Sequence, residues 1–187
     1  MKKQLLVTIL FLNFGIFAIG QNASYDDVGV IVNDNSQVSI DIGNYFKQAR
    51  NIPDENMIHI HTIEDEVIDT NEFRNIQHQI KNYMVQHDLQ YKLSYLVTTK
   101  GVPFDIQVDG CSYSPPSTFM RCSSVESELT LLFSADSSQI IQNGFEQNPF
   151  YSSTYHISDS EIDLLLVSRL DGKTREDVFN LIDRSGP

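Results

Sequence analysis

Short apolar runs alternate with longer amphipathic segments along most of this chain. Four runs are rich in apolar and β-branched residues, as β-strands are, and they cover residues 28–32, 57–62, 93–98 and 163–167. The last run has no polar residue after Asp163, which predicts a strand that is covered on both faces.

The segments between these runs place apolar residues at the spacing of amphipathic helices. The first such helix is predicted to run from Val38 to Arg50. Three later helices are predicted to begin at a capping pair, in which a polar side chain precedes a carboxylate by three residues. These pairs are Asp69 with Glu72, Ser123 with Glu126, and Thr174 with Asp177. The apolar stripes expected to face the core are Phe73, Ile76, Ile80, Tyr83 and Met84, then Val178, Leu181 and Ile182.

The order of predicted elements is β-α-β-α-β-loop-α-loop-β-α. Such alternation predicts an α/β fold, a three-layer sandwich with a mostly parallel, doubly wound sheet of the flavodoxin-like or caspase-like kind. Residues 107–121 are too many for an ordinary connection, which favours an insertion or a functional loop. The last helix ends close to Pro187, so we expect the chain to be a fragment of a longer protein.

The first twenty residues have the pattern of a signal peptide. Lys2 and Lys3 precede an apolar stretch, and Ala18 and Gly20 provide small residues before a cleavage site. The alternative, an uncleaved anchor, would need a run of about 20 apolar residues. We therefore expect an exported protein (periplasmic, at the cell surface or secreted) with one α/β domain over residues 21–187.

Charge and cysteines narrow the partners and the compartment. Removal of the first twenty residues takes the formal net charge from −12 to −14. Nucleic acids and anionic membranes are poor partners for so acidic a chain, so a small ligand or a protein is expected instead. The two cysteines, Cys111 and Cys122, are predicted to form a disulfide, as a close pair in an exported protein usually does. Free thiols or a nucleophilic cysteine are the alternatives.

The exits of the predicted strands hold the candidate site, because ligands of such sheets bind at the carboxyl ends of the strands. The candidate ligand-binding residues are Asn33, Asn35, Lys100, Glu126, Arg169 and Asp171. Lys100 and Arg169 would donate to an anion or a carbonyl, and Glu126 and Asp171 would orient them. A purely structural role, with the charges capping strand exits, is the alternative. A third possibility is a hydrolase that uses Glu126 and Glu128 with Asp171 as acid and base.

Several standard sites are not indicated by the sequence. Residues 33–36 contain no glycine, so they match neither a dinucleotide fingerprint nor a phosphate loop. His59 and His61 would share one face of a strand, but no third ligand follows at a suitable spacing, and a solvated face is favoured over zinc. The acidic groups at 64–66 and 159–163 follow no known calcium loop. No metal and no cofactor is expected.

Five motifs in order resemble an uncharacterised family of exported bacterial proteins. They are V-G-V-I-V-N-D-N-S from Val28, I-G-N-Y-F-K-Q-A-R-N-I-P from Ile42, L-V-T-T-K-G-V-P from Leu96, S-V-E-S-E-L from Ser124 and S-R-L-D-G from Ser168. The resemblance spans roughly residues 25–184. It implies export and no assigned activity.

Residues 167–170, V-S-R-L, are also similar to the strand end that closes the first, non-catalytic half of gingipain-like, caspase-like cysteine peptidases. In those enzymes the catalytic His and Cys lie in the second half, and Lys100-Gly101 stands here where His-Gly would be wanted. Two hypotheses follow. One is a non-catalytic α/β binding or support domain at the cell envelope, and the alternative is the amino-terminal half of a secreted peptidase. The sequence leaves open whether the protein is an enzyme.

Overall fold

A computed structural model describes residues 24–107, 123–133 and 164–185. Its strands are β1 (Val28–Asn33), β2 (Met57–Ile60), β3 (Val67–Asp69), β4 (Tyr95–Thr99), β5 (Asp105–Gln107), β6 (Ser123–Ser124) and β7 (Leu166–Leu170). Its helices are α1 (Gln37–Arg50), α2 (Thr70–Gln86), α3 (Val125–Leu129) and α4 (Arg175–Arg184), with a 3₁₀ turn at Asp54–Asn56.

The larger of the two described sheets has the order β2-β1-β4-β7, and its strands are all parallel. All six residues of the central strand β1 are buried, as its apolar sequence predicts. One face packs against α1 and α4 through Ile42, Phe46, Val178 and Ile182. The opposite face packs against α2 and α3. The α/β fold with helices on both faces of a mostly parallel sheet is confirmed.

Two of the predicted helix starts are confirmed by their side-chain hydrogen bonds. Asp69 accepts from the backbone N–H groups at the start of α2, and Thr174 and Asp177 form a reciprocal capping box at the start of α4. These caps were predictable because each bond joins residues within one turn.

Four details differ from the sequence predictions. The cap of α3 is Ser124, one residue later than predicted, because Ser124 Oγ accepts from Ser127 N–H while Ser123 bonds the carboxylate of Glu128. The last strand lies three residues later than predicted, and it is partly exposed at the edge of the described sheet rather than covered on both faces. Leu181, expected in the apolar stripe of α4, is 47% exposed. The small sheet β3-β5-β6 was not predicted.

Other predictions concern residues outside the described ranges. They include the signal peptide at 1–20, the Cys111–Cys122 disulfide, almost all of the long loop at 107–121 and the acidic group at 159–163. Among the helices that are described, none has the length and apolar character needed to cross a membrane.

Candidate functional site

The ends of β1, β4 and β7 lie on one edge of the sheet because these strands are parallel neighbours. We call this edge, with the residues that follow it, the strand-exit edge. Lys100 N–H donates to Leu170 O at 2.9 Å, so the chain leaving β4 runs beside the end of β7. Asn33 ends β1, Lys100 follows β4, and Asp171 follows β7. The predicted convergence of these exits is therefore present.

Arg169 is held by its own chain on several sides. Its Nε donates to Glu126 Oε1, its Nη1 to Val102 O and its Nη2 to Pro103 O, each at 2.8 Å. The guanidinium also lies 5.7 Å from the ring centroid of Phe104. The side chain is 15% exposed. Arg169 therefore joins β7 to the loop after β4 and to α3.

Glu126 completes this group from the first turn of α3. Besides pairing with Arg169, its Oε1 accepts from Thr98 Oγ1 at 2.8 Å. The side chain is 18% exposed, so the ion pair lies largely away from water. Charge-assisted bonds at such a position are strong, and removal of one partner leaves a charge with little solvent to stabilise it. We call Thr98, Glu126 and Arg169 the Arg169 brace.

Both the nitrogen and the oxygen of the Asn33 side-chain amide form hydrogen bonds inside the protein. The residue is fully buried. Its Nδ2 donates to Gly101 O at 2.9 Å and to Ile63 O at 3.4 Å. Its Oδ1 accepts from the N–H groups of Asn35 and Thr62 at 3.1 and 3.3 Å. The amide thereby ties together the exits of three strands, and its donors and acceptor are satisfied.

Gly101, whose carbonyl oxygen accepts from Asn33, has a backbone conformation that requires glycine. Its φ of +97° is a conformation that side chains with a Cβ rarely adopt. A Cβ there would also lie 2.4 Å from Ser36 Oγ. The loop after β4 can therefore approach the start of α1 only with glycine at this position.

Asn35 and the Lys100–Asp171 pair are more open to solvent than the Arg169 brace. Asn35 is exposed, although its Nδ2 donates to Thr62 O at 2.9 Å. Lys100 Nζ lies 3.1 Å from Asp171 Oδ1, and the two side chains are 33% and 40% exposed. Lys100 and Asp171 are thus the charged candidates with the best access to an incoming partner.

A chain of buried hydroxyl groups under the edge was not found from the sequence. Asn33 N–H donates to Ser39 Oγ at 2.8 Å, Ser39 Oγ lies 2.6 Å from Thr99 Oγ1, and Thr99 Oγ1 donates to Ile31 O at 3.0 Å. The available signal was a serine on the inward face of α1, opposite a threonine that ends a strand.

Asp34 lies between the two histidines considered as metal ligands. Its carboxylate oxygens are 2.6 Å from His59 Nδ1 and 3.8 Å from His61 Nε2. The shorter distance is a direct hydrogen bond, whereas two ligands of one zinc ion lie farther apart. Within the described ranges, no group of three or more His, Cys, Asp or Glu side chains is arranged to hold a metal ion.

The three carboxylates of the hydrolase hypothesis have separate partners. Glu126 pairs with Arg169, Asp171 pairs with Lys100, and Glu128 accepts from Ser123 Oγ. Burial raises the pKa of Glu128, and the Ser123 bond opposes that rise. Glu128 is therefore bonded beside the start of α3 and belongs to neither ion pair of the strand-exit edge.

We compared the chain with family models, curated proteins and solved structures. No family model matches the chain, and no match was found among curated proteins or solved structures. Function is therefore argued from the geometry of the strand-exit edge.

Proposed function

We propose that this chain is a non-catalytic α/β support domain of an exported protein. In this proposal the inner residues of the strand-exit edge hold the loops in place, and its outer residues contact a partner domain. The observation that carries the proposal is the Arg169 brace. The guanidinium donates to one carboxylate and two backbone carbonyls of its own chain. Export is supported by the signal-peptide pattern of residues 1–20.

A ligand-binding arginine must keep donors free or exchange its partners when the ligand arrives. For Arg169, exchange would uncover two backbone carbonyls and the Glu126 carboxylate, and each would lose a charge-assisted bond. Asn33 would face a similar loss at Gly101 and Thr62. These costs favour a supporting role for the inner residues, in which they hold three loops in a fixed arrangement.

The outer residues supply the surface that would meet a partner domain. Lys100 and Asp171 are partly exposed, and their side chains pair across the surface of the edge. Asp171 Oδ1 also accepts from the adjacent Gly172 N–H at 2.7 Å. A protein partner with its own mixed charges could exchange this pair at little cost, because exposed ion pairs contribute little to stability. The proposed division is an inner set that supports the loops and an outer set that makes contact.

The test exchanges the type of cationic side chain, with lysine at position 169 in one variant and arginine at position 100 in another. Arg169→Lys keeps the charge but loses the planar group that bonds three acceptors, so a supporting role predicts a loss of about 1–2 kcal/mol in the free energy of unfolding. Lys100→Arg is the matched control and should leave stability within about 0.5 kcal/mol. Urea unfolding followed by circular dichroism measures both. An Arg169→Lys variant as stable as the parent would contradict the support proposal.

The second candidate is the amino-terminal half of a secreted caspase-like cysteine peptidase. It is favoured by the strand β7 and helix α4 at one edge of the described sheet, since the resemblance at residues 167–170 implies such a pair at the end of a first half. The test is to express the natural full-length protein and assay peptide hydrolysis with and without a thiol-alkylating agent. Hydrolysis lost on alkylation supports this candidate, and no hydrolysis by the folded protein contradicts it.

A further inference from the structure

A second surface of the protein has features that the strand-exit edge does not explain. Helices α1 and α4 lie side by side on one face of the sheet, and a shallow groove of about 350 Å³ runs over their contact. We call it the α1–α4 groove. It is lined by Asp41, Asn44, Tyr45, Gln48, Arg175 and Phe179. Its volume is at the lower end of the range for small-molecule sites, and it is an open surface groove rather than an enclosed cavity.

The floor of the groove is a row of contacts between the two helices. Tyr45 and Phe179 stack with ring centroids 4.2 Å apart and 20° between their planes. Tyr45 OH also donates to Asp183 Oδ1 at 2.8 Å. The tyrosine ring is therefore held at a fixed orientation by a neighbouring ring and by a hydrogen bond.

The charged side chains that line the groove already have partners within the protein. Arg175 Nη1 donates to Asp41 Oδ2 at 2.5 Å, and its Nη2 donates to Glu176 Oε1 at 3.0 Å. A charged ligand would have to compete with these pairs for Arg175 or Asp41. The groove therefore favours a neutral ligand.

Two amide side chains along the groove have no hydrogen-bond partner among the described residues. Asn44 and Gln48 lie one turn apart on the same side of α1 and are exposed. Within the described part of the chain, neither side chain makes a hydrogen bond or ring contact. Each amide offers two N–H donors and one carbonyl acceptor, so together they can bond neighbouring hydroxyl groups in either direction.

We propose that the α1–α4 groove binds a neutral carbohydrate. Sugar hydroxyl groups would pair with Asn44 and Gln48, and the apolar face of a sugar ring would pack on the part of Tyr45 that lines the groove beside Phe179. An extended peptide fits less well, because peptides are usually recognised by pairing with a strand edge or by a longer apolar groove. The site is separate from the strand-exit edge, so it stands or falls independently of the support proposal.

The experiment titrates the protein with cellotetraose, maltotetraose, chitotetraose and the anionic tetramer of galacturonic acid. Isothermal titration calorimetry gives the affinity, and saturation-transfer nuclear magnetic resonance identifies the sugar protons in contact. Asn44→Ala/Gln48→Ala removes both amides. Asn75→Ala/Gln86→Ala removes two exposed amides from α2 and serves as the matched control. Alanine favours helix at all four positions, and circular dichroism checks that both variants are folded.

We expect millimolar or tighter binding of at least one neutral sugar, and about tenfold weaker binding by the groove variant, as the loss of two hydrogen bonds implies. The control variant should bind as the parent does. The proposal is overturned if no neutral sugar binds, if the groove variant retains full affinity, or if both variants lose affinity equally. Preferential binding of the anionic tetramer would overturn the neutral-ligand assignment.

Discussion

Two ion pairs lie at the strand-exit edge, one between β7 and α3 and one between the exits of β4 and β7, and they differ in what surrounds them. Arg169 and Glu126 are 15% and 18% exposed and also bond Thr98 and two backbone carbonyls. Lys100 and Asp171 are 33% and 40% exposed and bridge the surface of the same edge. On the support proposal, this difference predicts unequal roles for the two pairs. The inner pair, with little access to water and several shared partners, is expected to be structural, and the outer pair is expected to be exchangeable.

The largest effect is expected from breaking the inner pair. Arg169→Ala leaves Glu126 without its cation and two carbonyls without donors, and it should lower the free energy of unfolding by about 3 kcal/mol. Urea unfolding measures the loss. A double-mutant cycle with Glu126→Gln should show coupling of more than about 1 kcal/mol. Additive losses would mean that the two side chains do not act together.

The same contrast can be sharpened with the two asparagines. Asn33→Ala removes the buried amide that bonds four backbone groups, and we expect a loss of about 2 kcal/mol. Asn35→Ala removes one bond from an exposed side chain and should cost about 0.5 kcal/mol. Thermal and urea unfolding of both variants give the ranking. Equal losses would show that burial at this edge does not determine the energetic role.

Glu128 provides a test with a buried carboxyl group that has no cationic partner among the described residues. Because burial raises its pKa, the folded state binds a proton more tightly than the unfolded state does. The stabilisation of the folded state by protonated Glu128 is fully present below the unfolded pKa near 4.5. It is lost as the pH rises through the higher pKa of the folded state. Glu128→Gln cannot ionise, so the variant should lose less stability than the parent between pH 4 and pH 7. Parallel pH profiles from urea unfolding would contradict this assignment.

The smallest effect is expected at the outer pair. Lys100→Ala should change the free energy of unfolding by about 0.5 kcal/mol or less, because exposed ion pairs are screened by water and salt. The residual effect should disappear at about 1 M salt, where screening acts over about 3 Å. A loss comparable to that of Arg169→Ala would remove the distinction between the two pairs. Unfolding at low and high ionic strength provides the measurement.

The sequence was most informative where the interactions are local. The caps at Asp69 and Thr174 were predicted correctly because each involves one helical turn. The α/β order was also predictable, since strands and helices carry different apolar periods. With two adjacent serines, sequence could not decide that Ser124 rather than Ser123 caps α3.

Features set by distant segments were harder to predict. The position of β7 follows its pairing of 166–170 with 95–99 on β4, which shifts the strand beyond its apolar run. Strands of two or three residues, as in the β3-β5-β6 sheet, are too short to show a period. At the strand-exit edge, the sequence predicted that the strand exits converge but could not show that Arg169 bonds the loop carbonyls. That depends on the path of the chain at Val102 and Pro103.

The buried hydroxyl chain has a consequence for how the protein opens. The N–H of Asn33 is a strand amide, but its acceptor is the hydroxyl of Ser39 on α1. If α1 separates from the sheet, this amide loses its protection from exchange with solvent at the same moment. Local opening of the helix should therefore appear in hydrogen exchange at the end of β1. The helix and the central strand then belong to one cooperative unit, with Thr99 as its link to β4.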